Sequence, residues 1–97
     1  MGRQYFVYIL TNRVYGTLYV GITNDLARRT WEHKNDFVAG FCRENALHRL
    51  VWYEMHESPY EAITREKRIK NWNRGWKINL IQQMNPDWMD LYDAIAS

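Results

Sequence analysis

Two strand-sized runs of aromatic and β-branched residues lie close together near the amino end: positions 4–10, containing Phe6-Val7-Tyr8-Ile9-Leu10, and positions 18–23, containing Leu18-Tyr19-Val20-Gly21. Such side chains suit a pleated, half-buried surface, and the stretch between them, Asn12 to Thr17, holds the turn formers Asn12 and Gly16. The pattern predicts an antiparallel hairpin. With a side-chain period of two, Tyr8 shares a face with Phe6 and Leu10, and Tyr19 shares one with Gly21 and Thr23. A glycine weakens a strand unless something must approach closely. Gly21 therefore clears space beside Tyr19 and hints at a ligand or backbone lying against that face.

Downstream, Leu47 to Met55 supplies a third strand around Leu50-Val51-Trp52-Tyr53, expected beside the hairpin. Between the strands, Asn24 or Thr23 is placed to cap a helix from about Asp25 to Asn35, with Asp25 at the positive end of the dipole. On that helix Leu26, Arg29 and His33 fall on one side. Arg28 and Glu32 can pair on the outer face, which leaves Arg29 and His33 pointing inward with no local acid. Residues 37–46, with Gly40, read as a loop.

Ser58-Pro59-Tyr60-Glu61 is a helix-start signal in which Ser58 caps, Pro59 takes the first turn and Glu61 closes a capping box. Projected at 100° per residue, Ala62, Ile69, Trp72 and Trp76 form an apolar arc, and Glu66 lies between it and an edge carrying Lys67, Lys70 and Arg74. Gly75 predicts a break or bend before a further segment from Trp76 to Met84, which Asn85-Pro86 ends. Asp87 to Tyr92 is then a short terminal helix or turn whose aromatics pack onto the domain.

At 97 residues, with 46% hydrophobic and 25% charged side chains, the chain predicts one domain spanning 1–97 with a single modest core. Its apolar stretches fall short of the roughly 20 residues that span a bilayer, and the amino end lacks the order of a signal peptide, so a soluble protein and no membrane partner are expected. The single cysteine, Cys42, excludes an internal disulfide and a multi-thiol zinc site; it suits a reducing cytoplasm and reads as packing rather than as a nucleophile. Net charge is only +2, but Arg65, Lys67, Arg68, Lys70, Arg74 and Lys77 crowd a stretch whose one acid is Glu66, while Asp87, Asp90 and Asp93 make the tail acidic. On charge alone this reads as a solvated helix face ahead of a phosphate-binding one.

The chemistry lies in the combination. Two tyrosines on neighbouring strands are followed, ten residues past the second, by Arg29. A phenol can accept a proton or hold a hydrogen bond, and a guanidinium holds phosphate in a planar fork, so the set points towards phosphodiester chemistry. Glu66 has an ordinary reading, an ion pair with Lys70 worth about 0.3 to 0.5 kcal/mol. Its sharper reading is a ligand for Mg²⁺, which takes one or two carboxylates, keeps several waters and completes its shell with substrate phosphate.

Together these positions resemble the GIY-YIG endonuclease superfamily, in its small, stand-alone, single-domain bacterial form, over nearly the whole chain. Phe6-Val7-Tyr8 stands where the family has Gly-Ile-Tyr, Tyr19-Val20-Gly21 is the second motif, and ten residues separate the tyrosines as the family spacing requires. Arg29 falls at the family arginine, His33 at a histidine found in several family nucleases, and Glu66 at the metal-binding glutamate. No single piece is specific; the ordered set of five is.

The resemblance implies an α+β fold, a three-stranded antiparallel sheet flanked by helices, with one divalent ion, Mg²⁺ or Mn²⁺, at Glu66. It implies that Tyr8 or Tyr19 accepts a proton from the attacking water, that His33 assists, that Arg29 stabilises charge on the phosphate and that the metal stabilises the leaving 3′ oxygen. Bringing a phenol from a pKa of about 10 to near 7 takes about 4 kcal/mol, a shift suited only to the assembled complex, so in the free protein Tyr8 serves as a hydrogen-bond relay. The asparagine that many family nucleases carry after the glutamate has two candidates here, Asn73 and Asn79, and neither is assigned. With no attached DNA-binding domain, DNA binding by Lys34, Lys67, Lys70, Arg74 and Lys77 is expected to be weak, salt-sensitive and poorly sequence-specific, with a protein partner as one source of targeting. The expected function is a metal-dependent endonuclease acting on DNA, with branched or damaged structures, as in DNA repair, as candidate substrates. The alternative is a non-catalytic nucleic-acid-binding or partner-docking module that kept the fold.

Overall fold

A computed structural model describes residues 4–96. The hairpin forms as its pattern predicts: β1 spans Tyr5–Thr11 and β2 spans Leu18–Thr23, paired antiparallel with Tyr8 opposite Gly21 and Leu10 opposite Tyr19. The third strand, β3 (Arg49–His56), pairs antiparallel with the other side of β1, so the sheet order is β2-β1-β3. The register of β3 shifts between Ile9 and Leu10: Ile9 faces Trp52 and Leu10 faces Leu50, leaving Val51 as the extra residue of a bulge. The bulge lets the adjacent Val51 and Trp52 join the same core cluster.

Helices cover both faces of the sheet. On one face Val7, Ile9 and Val20 pack with Ala62 and Ile69 of α3 (Pro59–Asn71), Ile81 of α4 (Arg74–Met84) and Trp88. On the other, Tyr8, Leu10 and Leu50 pack with Leu26 of α1 (Leu26–Lys34), Cys42 of α2 (Phe41–Glu44) and Leu47, with Ile95 of α5 (Tyr92–Ala96) alongside. This sandwiching buries β1 from Val7 to Thr11. Each such aliphatic side chain removed from water contributes about 1.5–3 kcal/mol. Cys42 is buried in this packing, as its sequence reading implies, and burial raises its thiol pKa, with Arg29 opposing. Among the described residues no helix is long and apolar enough to cross a membrane.

Four local expectations are corrected. α1 starts one residue late because Asp25, not Asn24 or Thr23, is its cap: the Asp25 carboxylate accepts from the Arg28 backbone N–H, while Thr23 Oγ1 accepts from the Asp25 N–H. The expected loop at 37–46 contains the four-residue α2, closed by Asn45, whose side-chain amide donates to the Phe41 carbonyl. The long helix breaks at Trp72 and Asn73 rather than at Gly75, because the Asn73 side chain accepts from the Trp76 N–H and starts α4 anew. The break also takes Trp76 off the apolar arc, leaving it 59% exposed.

The tail packs as expected. Trp88 is buried, and Asn85 fixes its approach by donating to the carbonyls of Val51 and Met89 and accepting from the Met89 N–H. Leu91 then donates to the Leu50 carbonyl, tying the last segment to β3.

Candidate active site

Alternation along β1 and β2 puts Tyr8, Tyr19 and Gly21 on the face covered by α1. His33 projects from α1 into the same place. Its Nε2 lies 3.4 Å from the Tyr8 hydroxyl, and the Tyr8, Tyr19 and His33 rings sit 5.9–6.4 Å apart, centroid to centroid, in three tilted pairs. The Tyr8 ring fills the space directly over Gly21. A Cβ on Gly21 would lie 2.5 Å from Tyr8 Cζ and Oη and 2.9 Å from Tyr19 Cε2. Glycine is thus what allows Tyr8 to lean across β2.

Electrostatics in this cluster favour neutral groups. Burial raises the Tyr8 pKa above its ordinary value, neighbouring Tyr19 adds to the rise, and Arg29 opposes it. In the free protein Tyr8 is a phenol, not a phenolate. Burial, followed by the Arg29 charge, lowers the pKa of His33, so it stays a neutral imidazole whose Nδ1 has no hydrogen-bond partner among the described residues. In the tautomer protonated at Nδ1, Nε2 can accept from the Tyr8 hydroxyl.

Arg29 does not lack a local acid. Its Nη1 is 3.6 Å from Glu32 Oε1, and the other carboxylate oxygen of Glu32 is 3.5 Å from Arg28 Nε, so one acid faces two arginines. The three side chains line an open cleft of about 540 Å³ with Thr23, Asn24 and Asp25. The helical projection identified the Arg28–Glu32 pair but missed the three-residue spacing that also brings Arg29 to Glu32.

Glu66 approaches from the other side of the sheet. α3 packs on β1 and β2 from the face opposite α1, and the Glu66 charge still opposes ionisation of Tyr8. Its carboxylate is mostly buried and pairs with Lys70 at 3.1 Å, the ordinary partner anticipated from spacing. Among the described residues no three His, Cys, Asp or Glu side chains gather around one point. Glu66 offers one carboxylate, which would suit an open divalent-ion site completed by waters and substrate and not a closed metal cage.

The expected DNA-contacting residues divide into two groups. Lys67 is exposed on α3, Lys70 is exposed there but paired with Glu66, and Lys77 is half-buried on α4. Lys34, however, pairs with Asp90 and lies over the Tyr92 ring, and the Arg74 guanidinium donates to the carbonyls of Tyr15 and Gly16 at 2.6 and 2.7 Å. Both are occupied within the chain: Lys34 ties α1 to the tail, and Arg74 ties α4 to the β1–β2 turn. Of the two candidate asparagines, Asn73 is committed to its helix cap, and Asn79 lines a separate groove with Trp72 and Trp76.

Comparison with known proteins identifies the family. The sequence model described as the GIY-YIG catalytic domain matches residues 4–79. A UPF0213 protein of Staphylococcus saprophyticus is 31% identical over 80 residues, covering 82% of this chain and 96% of its own. One from Clostridium perfringens is 38% identical over 76 residues, covering 78% of this chain and 81% of its own. The solution NMR structure of a UPF0213 protein from Bacillus halodurans covers 97% of this chain and 99% of its own with a TM-score of 0.57 at 26% identity. With a domain match running from β1 into α4 and relatives of similar length, the chain belongs to the GIY-YIG family, among its small UPF0213 members.

Proposed function

We propose that this GIY-YIG domain, taken as a single unit spanning 1–97, is a metal-dependent endonuclease that hydrolyses phosphodiester bonds in DNA. The observation that carries the reading is the contact between the Tyr8 hydroxyl and neutral His33, beside Tyr19 and within the influence of Arg29 and Glu66. A phenol whose own ionisation is suppressed is a poor free base but a good relay. The attacking water gives its proton to the Tyr8 oxygen as Tyr8 passes its own to His33 Nε2; the water oxygen bonds to phosphorus and the 3′ oxygen departs. Arg29, with a partly exposed guanidinium, binds the phosphate oxygens on which charge builds. Tyr19 packs beside Tyr8 and His33 and holds the relay in line. A divalent ion on Glu66, when bound, supplies Lewis-acid stabilisation of the leaving oxygen.

Lys67, Lys70 and Lys77 lead the substrate backbone to this site, giving weak, salt-sensitive binding without base readout. Structure selectivity, a targeting partner and a cytoplasmic location belong to the same proposal. A second reading, a binding module that has lost catalysis, draws support from the raised Tyr8 pKa and from the Lys70 ion pair that occupies Glu66. The test is cleavage of plasmid and single-stranded DNA with Mg²⁺ or Mn²⁺ and with chelator. The nuclease reading expects metal-dependent cutting that disappears in Arg29→Ala and Glu66→Ala. Cutting by both variants at the parent rate would show a contaminant.

A further inference from the structure

The cleft on the flank of α1 contains two guanidiniums and one carboxylate that faces both and offsets only part of their charge. Arg28 is the more exposed, with 75% of its side chain open to solvent against 41% for Arg29, yet its Nε and Arg29 Nη1 both lie within 3.6 Å of Glu32. The other acid lining the cleft, Asp25, is committed to capping α1 through the Arg28 backbone N–H, and the positive end of the helix offsets its charge. Glu32 has no such commitment: its side chain extends into the cleft from the second turn of α1 and is 27% exposed. A carboxylate held between two guanidiniums occupies the position that a phosphate would take, because both anions present planar or near-planar oxygen pairs to the same donors.

We propose that Arg28 is a second backbone-phosphate ligand adjacent to Arg29, and that Glu32 is an internal stand-in for the substrate which turns out of the cleft when a nucleic-acid strand enters. The identity of the ligand as a nucleic-acid backbone rests on the nuclease reading; the anion site rests on the cleft itself. On this account Glu32 sets the ceiling on affinity. It keeps both arginines aligned in the free protein, and each binding event must break its ion pairs. Lys34 takes no part in this cleft, since its ammonium is held by Asp90.

The experiment is fluorescence anisotropy of labelled single-stranded and duplex DNA with the full-length protein in chelator, repeated across a salt series. Glu32→Gln should bind both DNAs about twofold to fivefold tighter, the gain expected from releasing surface ion pairs. Arg28→Ala should weaken binding for all sequences alike and reduce the slope of log K against log salt by about 0.7 to 0.9, one phosphate contact. Glu32→Ala, which removes the carboxylate without leaving an amide to hold the arginines, should act in the same direction as Glu32→Gln. Adding Arg28→Ala to Glu32→Gln should erase most of the gain. Glu32 variants that bind no tighter than the parent, or an unchanged salt slope in Arg28→Ala, would overturn the proposal. Tightening by Glu32→Gln in a protein that shows no Mg²⁺-dependent cleavage would uphold the anion site and defeat the nuclease reading alone.

Discussion

Adding one methyl group at Gly21 should disable the site from beneath. The Cβ of Gly21→Ala would stand 2.5 Å from Tyr8 Cζ and Oη, where ordinary contact begins at 3.4 Å, so the ring must retreat by close to 1 Å. It has little room to do so, since Tyr8 is buried among Leu10, Leu26, Cys42, Leu47 and Leu50. Overpacking of this kind costs about 1–3 kcal/mol, and for a domain of this size each kcal/mol lowers Tm by about 4–8 °C. The retreat also breaks the 3.4 Å contact between Tyr8 and His33. A displacement of about 1 Å in a reacting group can cost about 10²-fold in rate. Urea unfolding and single-turnover cleavage of a labelled strand measure the two effects separately. The methyl should cost less in a Tyr8→Leu background, where only the Tyr19 ring, 2.9 Å away, still meets it, so the two substitutions should be non-additive in stability. A Gly21→Ala protein within about 0.5 kcal/mol of the parent and cutting at its rate would refute the argument, because surface-like tolerance is incompatible with that contact.

Other substitutions probe other parts of the account. His33 is held neutral in the folded chain, with its pKa below the ordinary value of about 6.5, so the unfolded state takes up more protons as pH falls below that value. Stability should therefore decline with acidification from about pH 6.5, and urea titrations should show a shallower decline in His33→Gln. Arg29→Lys keeps the charge but loses the fork, and its cleavage rate should fall nearly as far as that of Arg29→Ala while the protein stays folded by circular dichroism. Asn85→Ala should destabilise by about 2–4 kcal/mol in urea unfolding, since it strands two carbonyls and an N–H that Asn85 now satisfies.

How much of this was visible beforehand depends on how local each feature is. The hairpin and the Ser58-Pro59 helix start are written in short-range pattern, whereas the five site positions, spread from Tyr8 to Glu66, are legible only as an ordered set. The Asn73 cap was overlooked because Gly75 is the stronger breaker by propensity; a side-chain acceptor at the cap outweighed it. α2 is too short to show a period. The engagement of Lys34 by Asp90 and of Arg74 by the β1–β2 turn joins residues 56 and 58 or 59 positions apart, which no local pattern reports. The filling of Gly21 by Tyr8 depends on strand register, knowable only once the turn length has set which residues stand opposite.

The central claim is that the Tyr8 hydroxyl relays the proton from the attacking water. Tyr8→Phe removes that one oxygen and leaves the ring over Gly21, so strand pairing and DNA affinity should persist. Single-turnover cleavage of a labelled DNA strand in saturating Mg²⁺, with the dissociation constant measured in parallel, is the direct test. The account predicts a rate lower by about 10²- to 10⁴-fold at unchanged affinity. A Tyr8→Phe protein that cleaves at the parent rate would contradict it.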